Sequence, residues 1–179
     1  MRLLLLAAAL VLTGCAAPGL EPFRETLARQ DSATAALGEW CAARHIAYPP
    51  LIRAVPVIAE EPVELPGVRT ALDVGASEPL GFRHVRLMCG DKVLSDARNW
   101  YVTARLTADM NAALATTQTP FGKVVAPLGF TRVRLAEKRG ALPGCPADTV
   151  LSHRALLRLA DGSAIALVQE CYTRANVVR

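Results

Sequence analysis

The chain has 179 residues, 52% of them apolar and 20% charged, with a formal net charge of +4. That length suits one domain with a real core and hardly two. The basic residues are scattered, only Lys92, Lys123 and Lys138 are lysines, and no basic stripe with interleaved aromatics occurs, which argues against a nucleic-acid partner.

At the N-terminus, Arg2 precedes an unbroken apolar run, Leu3 to Leu12, and then Thr13-Gly14-Cys15. One positive charge and about ten apolar residues make a secretory signal, too short to span the roughly 30 Å of bilayer hydrocarbon. Leu12-Thr13-Gly14-Cys15 resembles the lipobox of bacterial lipoproteins, in which the cysteine thiol is acylated and the peptide is cut just before it. The alternative is an ordinary signal peptide with an incidental cysteine. The lipobox reading divides the chain into a signal peptide (1–14), the lipidated Cys15 with a short tether (15–21) and one domain (22–179). Removal of Arg2 lowers the net charge from +4 to +3. Each buried lipid CH₂ contributes about 0.8 kcal/mol, so two or three acyl chains hold a protein stably at a membrane. The protein is then exported and lipid-anchored to the cell envelope on the periplasmic side. Ala16, with no aspartate after the cysteine, points to the outer membrane by resemblance to lipoprotein sorting rules.

Helical pattern begins at about Pro22, and Asp31-Ser32 starts a second helix, with Ser32 as N-cap and Ala33, Leu37, Trp40 and Cys41 on one face. Leu51 to Ile58 reads as a strand interrupted by Pro56, hence an edge strand. Ala59 to Pro79, rich in proline and glycine, reads as a long connection carrying one short strand. Gly81 to Cys89 alternates, Gly90-Asp91 turns the chain, and Val93 to Thr103 returns as a second strand. Thr107 caps a helix over Ala108 to Ala115. Phe130 to Ala136 alternates again, with Thr131, Val133 and Leu135 on one face and Arg132 and Arg134 on the other. Val150 to Ala160 and Ser163 to Thr173 flank Asp161-Gly162, a strong hairpin signal. Helices first and antiparallel strands afterwards make an α+β fold.

With Cys15 lipidated, Cys41, Cys89, Cys145 and Cys171 remain, an even number that permits two disulfides in an exported chain. The alternative is four buried thiols. Cys89 shares a strand face with Arg83 while Cys171 faces opposite to Glu170, so these two do not pair with each other. The preferred pairs are Cys41 with Cys89 and Cys145 with Cys171. His45, His84 and His153 have no partner at metal-ligand spacing, so no metal site is expected. Trp40, Trp100 and Tyr101 read as core or cavity wall.

Two charges sit on otherwise apolar strand faces: Arg83 with Val85, Leu87 and Cys89, and Glu170 with Ala164, Ala166, Val168 and Tyr172. A buried ion costs several kcal/mol unless paired, so either Arg83 and Glu170 staple the sheet or they serve a cavity. In a cavity, Arg83 receives a ligand carboxylate, and Glu170, on an apolar face that favours its protonated form, supplies a proton or hydrogen bond.

The run Phe82-Arg83-His84-Val85-Arg86-Leu87-Met88-Cys89-Gly90-Asp91 is one of several segments that resemble the chorismate pyruvate-lyases. The others are Leu94 to Arg98, Thr119-Pro120-Phe121-Gly122, Asp31-Ser32-Ala33-Thr34, and the ending Arg154 to Val178 with Gln169-Glu170-Cys171-Tyr172. The resemblance covers the chain from about Asp31, with Ala59 to Pro79 poorly matched. It implies a single antiparallel sheet with N-terminal helices, enclosing a ligand beneath helical flaps. It places the family's carboxylate-binding arginine on Arg83, its acidic residue on Glu170, and its ligand-contacting turn residue on Phe121. A ligand-touching methionine of the family falls on Ala33, and Phe121 replaces a smaller aliphatic, so the pocket differs in shape. The expected partner is a small aromatic carboxylate, with no cofactor and no identified protein partner. True lyase activity, converting chorismate to 4-hydroxybenzoate and pyruvate with Arg83 and Glu170 catalytic, is the first alternative. It sits badly with an export signal, because chorismate is a cytoplasmic intermediate. A structural envelope protein with a vestigial pocket is the second.

Overall fold

The computed structural model describes residues 19–58 and 64–178. The signal peptide, Cys15 and the first part of the tether therefore lie outside the described residues. Helices α1 (Leu20–Ala28) and α2 (Ala33–Ala43) come first, followed by strand β1 (Ile52–Pro56) and a one-turn helix α3 (Val68–Leu72). Strands β2 (Leu80–Cys89) and β3 (Lys92–Val102) lead to helices α4 (Ala108–Thr116) and α5 (Phe121–Val125). Strands β4 (Thr131–Arg139), β5 (Leu151–Arg158) and β6 (Ala164–Tyr172) complete the chain. All six strands form one antiparallel sheet in the order β1-β2-β3-β6-β5-β4.

The turn chemistry sets the hairpins. Gly90, at φ +56°, closes β2 to β3, and Gly162, at φ +86°, closes β5 to β6, a region that glycine enters without steric cost. Asp161 reinforces the second turn by accepting from the Ser163 N–H at 2.8 Å. Side-chain caps start α2, where Ser32 accepts from Ala35, and α4, where Thr107 accepts from Met110.

One face of the sheet is covered by α1, α2, α4 and α5. Phe23, Leu37, Trp40 and Cys41 pack on Val85, Leu87 and Tyr172, while Leu114, Phe121 and Val125 pack on Tyr101, Leu157 and Val168. The other face meets α3, whose Val68 and Leu72 lie against Trp100, Val102 and Leu167. Strand β6 is buried along all nine residues because it is covered on both faces. Cys41 is paired with Cys89 and Cys145 with Cys171, at Cα separations of 6.3 and 5.6 Å. The first pair ties α2 to β2. The second ties the 140–149 loop to the back of β6.

At three places the structure sharpens the reading of the sequence. Where one short strand was expected before β2, the described part of the connection (64–79) holds α3 and no strand: Gly67 turns into it at φ +83°, and Val68 and Leu72, four residues apart, are fully buried. Leu20 and Glu21, assigned to a tether from sequence, open α1, and Leu20 packs on the core. On β4 the alternation is interrupted by a register shift between Arg134 and Ala136. Val133 and Leu135 are 42% and 48% exposed, whereas Arg132 turns inward. The reason is topological: β4 is an edge strand, its back face extends past α3, and Arg132 has a buried carboxylate to meet.

Candidate functional site

The site lies where α2 and α5 approach each other above the covered face of the sheet. Its floor is Val85 and Leu87 of β2, Ala97 and Asn99 of β3, Leu157 of β5, and Val168 and Glu170 of β6. Asp31, Ser32, Ala33 and Thr34 of the α2 start, with Phe121 and Gly122 of α5, form the roof; Phe130 and Arg132 close one side. Sequence dictates this roof locally. Asp31 and Ser32 stop the preceding turn and cap α2, and Asp31 also accepts from the Arg132 backbone N–H at 3.3 Å, latching the helix start to β4. Gly122 allows the two flaps to touch: a Cβ there would stand 2.5 Å from Ser32 Oγ.

Glu170 and Arg132 form the charged centre. The guanidinium grips both carboxylate oxygens, Nη1 to Oε1 at 3.1 Å and Nη2 to Oε2 at 2.5 Å, and the two side chains are only 7% and 6% exposed. Burial alone would lower the Arg132 pKa, but the charge and hydrogen bonds of Glu170 reverse this and hold it above the ordinary arginine value. Around the pair lie further buried polar groups. His153, directly across from Glu170 on β5, is pushed down to about 4 by burial, against the opposing pull of Glu170 and Glu137. Its Nε2 is 3.2 Å from Glu137 Oε2 but is not aligned for a hydrogen bond. The Tyr172 hydroxyl is fully buried without a partner among the described residues, and burial, then the charge of Glu170, push its pKa well up.

Arg83 is placed differently from the sequence expectation. It is 8% exposed and makes no salt bridge with Glu170. Its Nη1 donates to the Thr119 carbonyl at 2.7 Å and its Nη2 to the Thr117 carbonyl at 2.6 Å. Desolvation lowers its pKa, with the nearby Tyr101 acting weakly the other way. Arg83 therefore holds the segment that leads into α5, and it does not line the cavity floor. Tyr101 can lie beside it only because Gly81 has no side chain: a Cβ there would fall 2.2 Å from the Tyr101 ring.

Of the residues singled out from sequence, Glu170, Phe121 and Ala33 meet at one site, while Arg83 stands apart behind the flap. Arg132, Asn99 and Thr34 also belong to it and were missed. Arg132 had a readable signal, since an arginine alternating with exposed Val133 and Leu135 on an edge strand can face inward to a carboxylate. The free space is about 30 Å³, room for one or two waters. Ser32, Thr34, Gly122 and Phe130 also border a wider groove of about 430 Å³ outside the flaps. Among the described residues no three His, Cys, Asp or Glu side chains converge as metal ligands, and no helix is long and apolar enough to cross a membrane.

This architecture is the chorismate-lyase-like α+β fold found in effector domains. The effector domain of PhnF from Mycobacterium smegmatis matches with a TM-score of 0.56 at 13% identity, over 81% of this chain and 90% of that one. The longer PhnF structure matches with a TM-score of 0.58 at 12% identity, over 83% and 66%. YydK from Bacillus subtilis, described as a possible transcriptional regulator, matches with a TM-score of 0.50 at 12% identity over 70% of this chain, which spans only 58% of YydK. No family model matches the sequence. The chain is 38% identical over 173 residues to y4mC, an uncharacterized protein of Sinorhizobium fredii (strain NBRC 101917 / NGR234), covering 86% of this chain and 73% of that one. It belongs to the y4mC family.

Proposed function

We propose that this protein is a lipid-anchored component of the cell envelope whose domain takes up a small aromatic carboxylate beneath the α2 and α5 flaps. The observation that carries the ligand reading is the buried Arg132–Glu170 pair beside a floor that is apolar apart from Glu170 and Asn99, beneath flaps that touch where Gly122 faces Ser32. In the closed form Glu170 occupies the Arg132 guanidinium as a ligand carboxylate would. Val85, Leu87, Phe121, Phe130, Leu157 and Val168 offer the ring an apolar cage. The present space admits only water, so entry requires the flaps to part toward the wider groove.

Binding without turnover is the reading preferred. As a lyase the protein would need Glu170 to deliver a proton, and both its oxygens are already engaged by Arg132. The rival structural reading, a closed vestigial pocket, draws on the same small volume and satisfied pair. Calorimetric titration with 4-hydroxybenzoate separates them. Uptake by the chain from Ala16 onward, lost in the folded double variant Arg132→Met with Glu170→Leu, supports the ligand reading. Heatless titrations, together with no small carboxylate in native mass spectra, leave the structural one. Release of 4-hydroxybenzoate from chorismate by the parent but not by Glu170→Gln would make the protein an enzyme. The anchor is tested separately: Cys15→Ser should release the protein from membranes or leave it unprocessed, and unchanged fractionation would refute anchoring.

A further inference from the structure

We infer that the end of the domain formed by the α2–β1 loop and the β2–β3 turn docks on an anionic membrane surface. This rests on the lipid-anchor reading and extends it from the acyl chains to the protein surface. Tyr48 is 97% exposed and Leu51 61% exposed, with Pro49 and Pro50 between them, which makes an apolar tip with an aromatic ring in solvent. Around the tip stand Arg44, His45, Arg53 and Lys92. Arg44 lies over the Trp40 ring, and Arg53 donates to the Gly90 carbonyl in the β2–β3 turn. That turn touches the loop, since a Cβ on Gly90 would stand 2.8 Å from the Ala47 Cβ. His45 and Lys92 border one surface concavity here and His45 and Tyr48 a second. Asp91, 3.8 Å from Lys92, is the opposing carboxylate in the turn, and Glu21 is taken up by Arg24 and Arg139. Exposed aromatic and apolar side chains ringed by cations match the interfacial zone of a bilayer with anionic headgroups.

The tether places this end where it can act. Helices α1 and α2 run as an antiparallel hairpin, Phe23 packing on Trp40 with ring centroids 5.2 Å apart, so Leu20 lies level with Ala43 and the loop that follows. Leu20 packs on the same core cluster as Ile46 and Ala47. From Cys15 to Leu20 the chain reaches at most about 17 Å even when extended. An acylated Cys15 in the bilayer therefore keeps this end, and not the flaps, against the headgroups. The α2 start and Gly122 lie at the far end of the hairpin, open to the aqueous side.

The test is sedimentation of the chain from Ala16 onward, which contains every described element, with vesicles of phosphatidylglycerol and phosphatidylethanolamine or of phosphatidylcholine alone. Docking predicts binding to the anionic vesicles, weakened by salt, and little binding to phosphatidylcholine. Tyr48→Ser with Leu51→Ser, and separately Lys92→Glu, should each weaken it about tenfold or more, while Val133→Ser on the β4 edge leaves it unchanged. Unaltered thermal melts of the loop variants establish that they fold. Absent binding, binding indifferent to lipid charge, or loop variants that bind as the parent does would each overturn the inference. So would a dimer in sedimentation velocity that the Tyr48 variant abolishes, which would assign the tip to a second copy. The anchor is judged by Cys15→Ser fractionation of the full chain, so its failure and that of docking are read in different assays.

Discussion

Replacing Arg132 by methionine removes a guanidinium and leaves the Glu170 carboxylate where it is. Both side chains are under a tenth exposed, so solvent screening does little to soften the loss. Breaking a buried pair by removing one partner costs about 3–5 kcal/mol, because the survivor is an uncompensated buried charge. In a domain of this size each kcal/mol moves the melting midpoint by about 2–4 °C, so the expected fall is about 6–20 °C. The companion variant, Arg132→Met with Glu170→Leu, removes both charges and should recover most of the loss. Calorimetric melts at neutral pH on the parent, both single variants and the double variant form the complete cycle. A single variant within about 1 kcal/mol of the parent, or a double variant worse than either single, would refute the claim that this pair is a dry, mutually dependent centre.

His153 gives a pH prediction. Burial holds its folded-state pKa near 4, below the ordinary 6.5, so the unfolded chain takes up a proton first. Its stabilising contribution is complete above about 6.5 and is lost as pH falls toward 4, a change of about 3 kcal/mol that His153→Phe should remove from melts recorded across that window. An equally steep acid loss in that variant would place the titration elsewhere. Gly122→Ala should wedge the flaps apart at Ser32 and cost about 1 kcal/mol through the disturbed α2 cap, read as faster hydrogen exchange at residues 31–36; unchanged exchange would mean the flaps do not bear on each other. Unreduced peptide maps should show Cys41–Cys89 and Cys145–Cys171. Removing the second, which spans 26 residues, should cost roughly 3 kcal/mol in the loop-entropy account, and four free thiols would contradict both pairs.

The strands, the capped helices and the hairpins were legible in the chain because they rest on local rules. Alternation defines β2 and β6, Gly90 and Gly162 take a backbone region that glycine enters freely, and Ser32 and Thr107 satisfy the first amide groups of their helices. Pro56 marked β1 as an edge, and the strand faces ruled out a Cys89–Cys171 bond without choosing between the two connectivities that remain, a choice that packing made. Alternation also identified Arg83 and Glu170 as inward charges, since a period of two needs no knowledge of neighbours. It did not say what each charge meets. Only the sheet order, which sets β4 beside β5 and two strands from β6, brings Arg132 within reach of Glu170 and leaves Arg83, on β2, against the carbonyls of Thr117 and Thr119. Likewise α3 escaped notice because a single helical turn has too little periodicity to register, and its burial depends on the remote Trp100 and Leu167. Partners separated by dozens of residues are chosen by packing, so local pattern specified the elements and tertiary contact decided which charges form the site.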